Sequence, residues 1–215
     1  MRVFISHSRK DADLVQRLKA GLGVMEYQPI VYEDLPSEVN HPDYQRIKSL
    51  ILGADVVFLF LTENVATSKW TTYWVDHEVS QAAAFNKDLV EFQVEGEKPS
   101  LPIGYCTDVV TISRDPTMAL LTVLRVAKRF EKKTLWPIGV TGGAAVGSIL
   151  GPVGLIAGAL IGGALTSGAG QKIIPTLLCG KDQMKYRFLG GERTSFYCPH
   201  CLTEYTYIGG ESEHH

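Results

Sequence analysis

Asp55-Val-Val-Phe-Leu-Phe-Leu-Thr62 is apolar at every position between its two ends. A strand covered on both faces reads this way, because neither set of alternating side chains meets water; a half-exposed strand would alternate. The run is therefore expected to be a central strand of a parallel sheet. Its neighbours support that. Arg2 to Ser6 reads as a short buried strand, and the polar turn from His7 to Asp11 offers Ser8 or Asp11 as a helix cap. Ala12 to Leu22 places Leu14, Val15, Leu18 and Leu22 at helical spacing, with Gly21 and Gly23 marking its end. Pro29-Ile-Val-Tyr32 is a second strand, and Tyr44 to Leu52 a helix with Ile47, Leu50 and Ile51 inward.

On the other side of the run, Lys69 to Phe85 is a helix, followed by a strand from Leu89 to Val94 and a charged, proline-bounded loop from Glu95 to Pro102. Asp108 to Ile112 is a last strand, and Pro116 to Phe130 a last helix with proline near its start, where the geometry tolerates it. Strand and helix alternate, which predicts an α/β sandwich around a parallel sheet. Ligands bind such sheets at the carboxyl ends of the strands, where Ser6-His7, Tyr32-Glu33 and the loop before Lys69 fall.

The Lys69 helix carries the chemistry. Trp70, Trp74 and Glu78 lie at i, i+4 and i+8 and share one face, while Val75, Val79 and Ala82 line the adjoining, core-facing side. A carboxylate beside two indoles is either a solvated surface acid or an acid in a partly dry cleft, where its charge acts strongly.

Composition narrows the alternatives. The 215 residues suffice for one full domain and an appendage, and 45% hydrophobic residues can build a core. A net charge of -2, with no basic stripe interleaved with aromatics, gives no case for nucleic acid. Four unevenly spaced cysteines do not make a secreted disulfide framework, and the first apolar run is too short for a signal peptide. A reducing, cytoplasmic setting is expected for the N-terminal part.

Four blocks then take on a joint meaning: Val3-Phe-Ile-Ser-His-Ser-Arg-Lys-Asp11, Tyr32-Glu-Asp-Leu-Pro36, Ala54 to Thr62, and Ser68-Lys-Trp with Trp74-Val-Asp-His-Glu78. In this order and spacing they resemble a TIR domain of the bacterial or archaeal kind, over about residues 1–131. The resemblance implies a flavodoxin-like fold, self-association through TIR–TIR contacts and, in many members, cleavage of NAD+ at the nicotinamide–ribose bond. It matches Glu78 to the catalytic glutamate and Trp74 to the aromatic residue four positions before it. It matches the loop from Glu33 to His41, which contains Asp34, to the mobile loop that closes on substrate or joins neighbouring subunits. Ser6, His7 and Tyr32 are further candidates for lining the substrate, and Trp70 either stacks on it or packs. Two departures bear on loop geometry: no glycine follows Asp34-Leu-Pro-Ser37, and an arginine common in animal signalling members is missing near Tyr32. A microbial immune effector that consumes NAD+ or makes a signal from it is the implied role. A scaffolding TIR module without chemistry is the rival.

From Thr134 to Gln171 no side chain is charged, and glycines recur at Gly139, Gly143, Gly147, Gly151, Gly154, Gly158 and Gly162. On a helix this makes a flat stripe that lets another backbone approach closely, as in glycine-zipper segments. A continuous helix over residues 138–165 would reach about 42 Å, ample for a hydrocarbon core of about 30 Å, but Gly151-Pro152 favours a kink or turn. Membrane association and a soluble, packed or oligomerising hairpin both remain open. The basic residues Lys128, Arg129, Lys132 and Lys133 would hold the preceding domain on the cytoplasmic side. A zipper that disrupts membranes, with the TIR domain as sensor, is the reading from a different class.

The tail, residues 172–209, contains two half-repeats, Thr176 to Phe188 and Cys198 to Tyr207, each with a cysteine turn and an aromatic strand. Together they resemble a zinc ribbon with three thiols, Cys179, Cys198 and Cys201, because Thr176 stands where a fourth would be. His200, or His214 or His215, could complete a zinc site, or the ribbon could stand without metal. Three units are thus expected: a TIR domain at 1–131, a glycine-zipper segment at 134–171 and a zinc-ribbon-like tail at 172–209.

Overall fold

The computed structural model describes residues 1–32, 44–66, 69–99, 101–131, 176–181, 183–189, 193–208 and 211–214. The glycine-zipper segment and Asp34 lie outside these residues, as do the side chains of Trp70 and of the histidines at 214 and 215.

In chain order the elements are β1 (Arg2–Ser6), α1 (Ala12–Val24), β2 (Gln28–Ile30), α2 (Tyr44–Gly53), β3 (Val56–Phe60), a one-turn α3 (Glu63–Ala66), α4 (Lys69–Ala84), β4 (Asp88–Val94), β5 (Asp108–Ile112) and α5 (Pro116–Arg129). The tail adds β6 (Thr176–Leu178), β7 (Lys185–Phe188), β8 (Arg193–Tyr197), β9 (Glu204–Ile208) and β10 (Glu211–His214). The main sheet runs β2-β1-β3-β4-β5-β7-β6. Its β1 to β5 strands and β7 are parallel, and only β6 runs antiparallel, against β7. All of β3 is buried, as its unbroken apolar sequence requires of a strand in the middle of a two-sided sheet. A mostly parallel sheet flanked by helices is an α/β fold of the flavodoxin-like kind.

Each face has its own core. Val3, Ile5, Phe58 and Phe92 point to the side covered by α1 and α5. Phe4, Val57, Leu59 and Val109 point to the other side, covered by α2 and α4 and, beyond them, by the tail. Alternation within each strand sends neighbours to opposite layers, so β1, β3, β4 and β5 are held from both sides.

Several expectations change in detail. Helix α1 does not stop at Gly21 and Gly23 but runs through both to Val24. A Cβ at Gly21 would lie 2.7 Å from Leu120 Cδ1. This glycine lets α1 cross close to α5, rather than ending the helix. Asp11 precedes α1 without capping it through its side chain; its carboxylate instead accepts from Thr62 Oγ1 and Asn64 Nδ2, both at 2.6 Å. Ser8 does cap, but the short 3-10 turn Arg9–Asp11 ahead of α1.

The tail departs furthest from a free-standing ribbon. Its first hairpin, β6 and β7, continues the main sheet: Arg187 N–H donates to Thr107 O at 2.8 Å and Leu189 N–H to Val109 O at 2.9 Å. Arg187 also reaches the buried Asp108 carboxylate at 2.6 Å. Only β8, β9 and β10 form a separate antiparallel sheet. The physical reason lies one step earlier. No helix appears among the described residues between β4 and β5, so the face over those strands lacks the cover a crossover helix would give. Tail residues Tyr186, Phe188 and Phe196 supply it, joining the same core as Ile103, Cys106 and Val109.

Candidate active site

Glu78 sits in the middle of α4, whose inward Val75, Val79 and Ala82 bind it to the sheet. That registration turns Glu78 inward as well, leaving it 8% exposed. Ser6 ends β1 and is also buried; its hydroxyl donates a hydrogen bond to Glu78 Oε2. One turn before Glu78, the buried Trp74 packs against Tyr44 of α2, with ring centroids 4.6 Å apart, and edge-on against His77 at 5.8 Å. A carboxylate on a helix is thereby fastened to the carboxyl end of β1, beside an indole. A fixed, largely dehydrated carboxylate interacts with a developing positive charge far more strongly than one in water.

The sequence-derived candidates fare unequally. Ser6, Trp74 and Glu78 come together on one face of the sheet. Ser6 meets the carboxylate itself, a role its position at a strand end did not reveal. His7 is half-buried next to it, and Tyr32 is half-buried after β2, packed against the same core.

Two features escaped sequence reading. The first is the Asp11 carboxylate, which ties the 3-10 turn after β1 to Thr62 after β3 and to Asn64 in α3. A lone aspartate in a polar turn gave no sign of this tie. The second is Glu91, fully buried on β4. Its Oε1 accepts from Gln93 Nε2 at 2.7 Å, and its Oε2 has no partner among the described residues. Burial pushes its carboxyl up to about 8, so it is protonated at neutral pH. Register places Ser6 beside Leu59 and Leu59 beside Glu91, so Glu91 shares a row with Ser6, two strands away. At the usual strand spacing, about 10 Å separates the two backbones. His77, beside Trp74, has its imidazole held below the ordinary range by desolvation.

The tail thiols also converge. The Sγ atoms of Cys179, Cys198 and Cys201 all lie within 4.8 Å of one another, a group able to hold a metal ion. His200 is not among them: its Nδ1 lies 2.9 Å from Ile103 O and so donates to that carbonyl. Cys106 lies outside the group as a buried thiol, pushed up by burial, donating to Asp108 O at 3.1 Å. No helix among the described residues is long and apolar enough to cross a membrane.

Compared with known families, residues 3–118 match the model of the TIR domain. No curated protein matches the chain.

Proposed function

The chain belongs to the TIR domain family, and from that premise we propose that it is an NAD+ glycohydrolase, cleaving the nicotinamide–ribose bond to give ADP-ribose or a cyclised product. TIR domains include NAD+-cleaving enzymes, and they generally associate with one another. The observation that carries the reading is the Glu78 carboxylate, buried on α4 and oriented by the Ser6 hydroxyl at the carboxyl end of β1.

Nicotinamide leaves NAD+ as a neutral base from a cationic ring, so it needs little acid assistance. The barrier lies in the oxocarbenium-like charge on the ribose. Glu78 supplies the opposing charge in a site where water is scarce, and Ser6 keeps the carboxylate from turning away. Trp74 walls the site, held by Tyr44. His7, Tyr32, Asp34 and Trp70 are proposed to line the substrate. Self-assembly activates the enzyme, in keeping with the family, and the role is that of a microbial defence effector. The tail thiols are proposed to hold a structural zinc ion.

The test is incubation of concentrated protein with NAD+ and identification of products by mass. Nicotinamide release that Glu78→Gln lowers at least about a hundredfold, with unchanged circular dichroism, supports the assignment. Turnover retained in that variant overturns it. A second reading, a scaffold that assembles without chemistry, is favoured by the exposed apolar surface of α2 and α4. Leu52 is 55% and Tyr73 50% exposed there. Concentration-dependent assembly with no loss of NAD+ at any concentration would select it.

A further inference from the structure

Cys179 lies in the turn between β6 and β7, at the edge of the main sheet, whereas Cys198 and Cys201 lie in the turn between β8 and β9, in the second sheet. The thiols that converge therefore come from two different sheets. Their spacing suits an ion: sulfurs about 2.3 Å from a tetrahedral centre stand about 3.8 Å apart. Cys179 and Cys198 are fully buried. Lys181 N–H points at Cys179 Sγ from 3.5 Å, and Thr203 Oγ1 lies 3.2 Å from Cys201 Sγ, so donors for bound thiolates are already placed. Three soft sulfurs without a carboxylate select a thiophilic ion rather than magnesium or calcium.

The turn that carries two of these thiols is also the turn that docks. Just before it, the Gln93 side chain accepts from Tyr197 N–H at 2.8 Å and donates to Tyr197 O at 2.7 Å. Within it, Pro199 O accepts from Ile103 N–H at 2.8 Å, and His200 Nδ1 donates to Ile103 O. Ile103 belongs to the helix-free connection between β4 and β5, and Phe196 of β8 stacks on Phe188 of β7 at 4.1 Å.

We propose that Cys179, Cys198 and Cys201 form a metal clasp, occupied by zinc, that locks the 198–201 turn onto the Ile103 loop and so holds the second sheet over β4 and β5. This rests on the zinc reading above and goes beyond it in assigning what the ion holds together. On binding, the thiols release their protons to solvent, and no redox partner is needed.

The experiment uses the full chain, reduced and desalted, with zinc measured per chain. About one equivalent is expected. Cys179→Ser and Cys198→Ser should lower retained zinc at least tenfold, and Cys106→Ser should leave it unchanged. Amide exchange is then compared before and after chelation. The Ile103 and Tyr197 amides should exchange at least tenfold faster without the ion, while α1 and α5 do not change. Zinc retained with no effect on those two amides overturns the clasp but leaves the zinc reading standing. Acceleration extending equally to α1 and α5 also overturns the clasp, since the ion then stabilises the fold at large. No ion retained, even after titration with Zn2+ or Cd2+, or two of the three cysteines found as a disulfide, overturns both.

Discussion

Glu91 has no exposed surface, and among the described residues only Gln93 hydrogen-bonds its carboxyl, so ionising it inside the fold is costly. The consequence for stability has a definite sign. In the folded chain this group holds its proton up to about pH 8, whereas the ordinary value for a glutamate is 4.5. Unfolding between those values releases a proton, so stability is greatest below the lower value and declines as pH rises through the upper. Glu91→Gln should flatten that decline. Between pH 5 and pH 8 the parent should lose more than about 1 kcal/mol relative to the variant, read by urea denaturation. Equal slopes for the two proteins would show that Glu91 does not hold a proton in the fold. Ser6 invites a different test. If its hydroxyl orients Glu78, Ser6→Ala should lower kcat for NAD+ roughly tenfold to a hundredfold with little change in KM, and Ser6→Thr should recover part of the loss. A change in KM alone would make Ser6 a substrate contact, as its position at a strand end suggested. At this scale the sequence was informative where spacing is set by one element. Trp74 and Glu78 share a helix, and their common orientation follows from a four-residue interval. Ser6 and Glu78 are 72 positions apart, and nothing local predicts their hydrogen bond.

Elements were legible wherever their hydrophobic period was uninterrupted. The apolar run at β3 and the inward residues of α4 and α5 identify themselves, because burial on a fixed face demands a fixed repeat. Boundaries slipped where a residue serves a neighbouring element. Gly21 looked like a stop because glycine disfavours helix, yet its missing side chain is what Leu120 of α5 needs to pack. At the start of α5 local rules suffice. Asp115 adopts an extended conformation and its side chain accepts from Met118 N–H at 2.8 Å, with Pro116 following in the first turn. Asp115→Ala should therefore destabilise the protein by about 1 kcal/mol, measured by denaturant midpoint, and Asp115→Ser should recover most of it. Equal losses in both variants would mean that something other than the cap is at work. The first tail hairpin was the least legible element. Its two strands alternate like any ribbon hairpin, and only the bare edge of β5 decides where they go.

The division of the chain into a TIR domain at 1–131 and a zinc-ribbon-like tail at 172–209 follows from the two resemblances, with the uncharged, glycine-rich stretch set between them as a unit of its own. The packing argues for a different unit. Beyond β5 the main sheet continues into β7 and β6, and the face over β4 and β5 is covered by tail aromatics where no connecting helix is described. The family match over residues 3–118 covers β1 to β5 and the start of α5, but none of that cover. A chain cut after residue 131 would uncover Ile103, Cys106 and Val109 and leave Asp108 without Arg187. Tyr186, Phe188 and Phe196 are almost fully buried. Burying one large apolar side chain contributes about 1.5–3 kcal/mol, so losing this layer removes several kcal/mol from a total of about 5–15 kcal/mol. The truncated chain should melt at least about 10 °C lower than the full chain, or fail to fold, and should bind a hydrophobic dye. Restoring residues 172–215 through a short flexible linker in place of 132–171 should recover most of the loss. A truncated chain that melts with the full chain and binds no dye would mean that β1 to β5 close their own core and that the tail is an accessory. Recovery by the relinked chain would instead mean that the family's domain, in this protein, is completed by residues lying past the end of its own pattern.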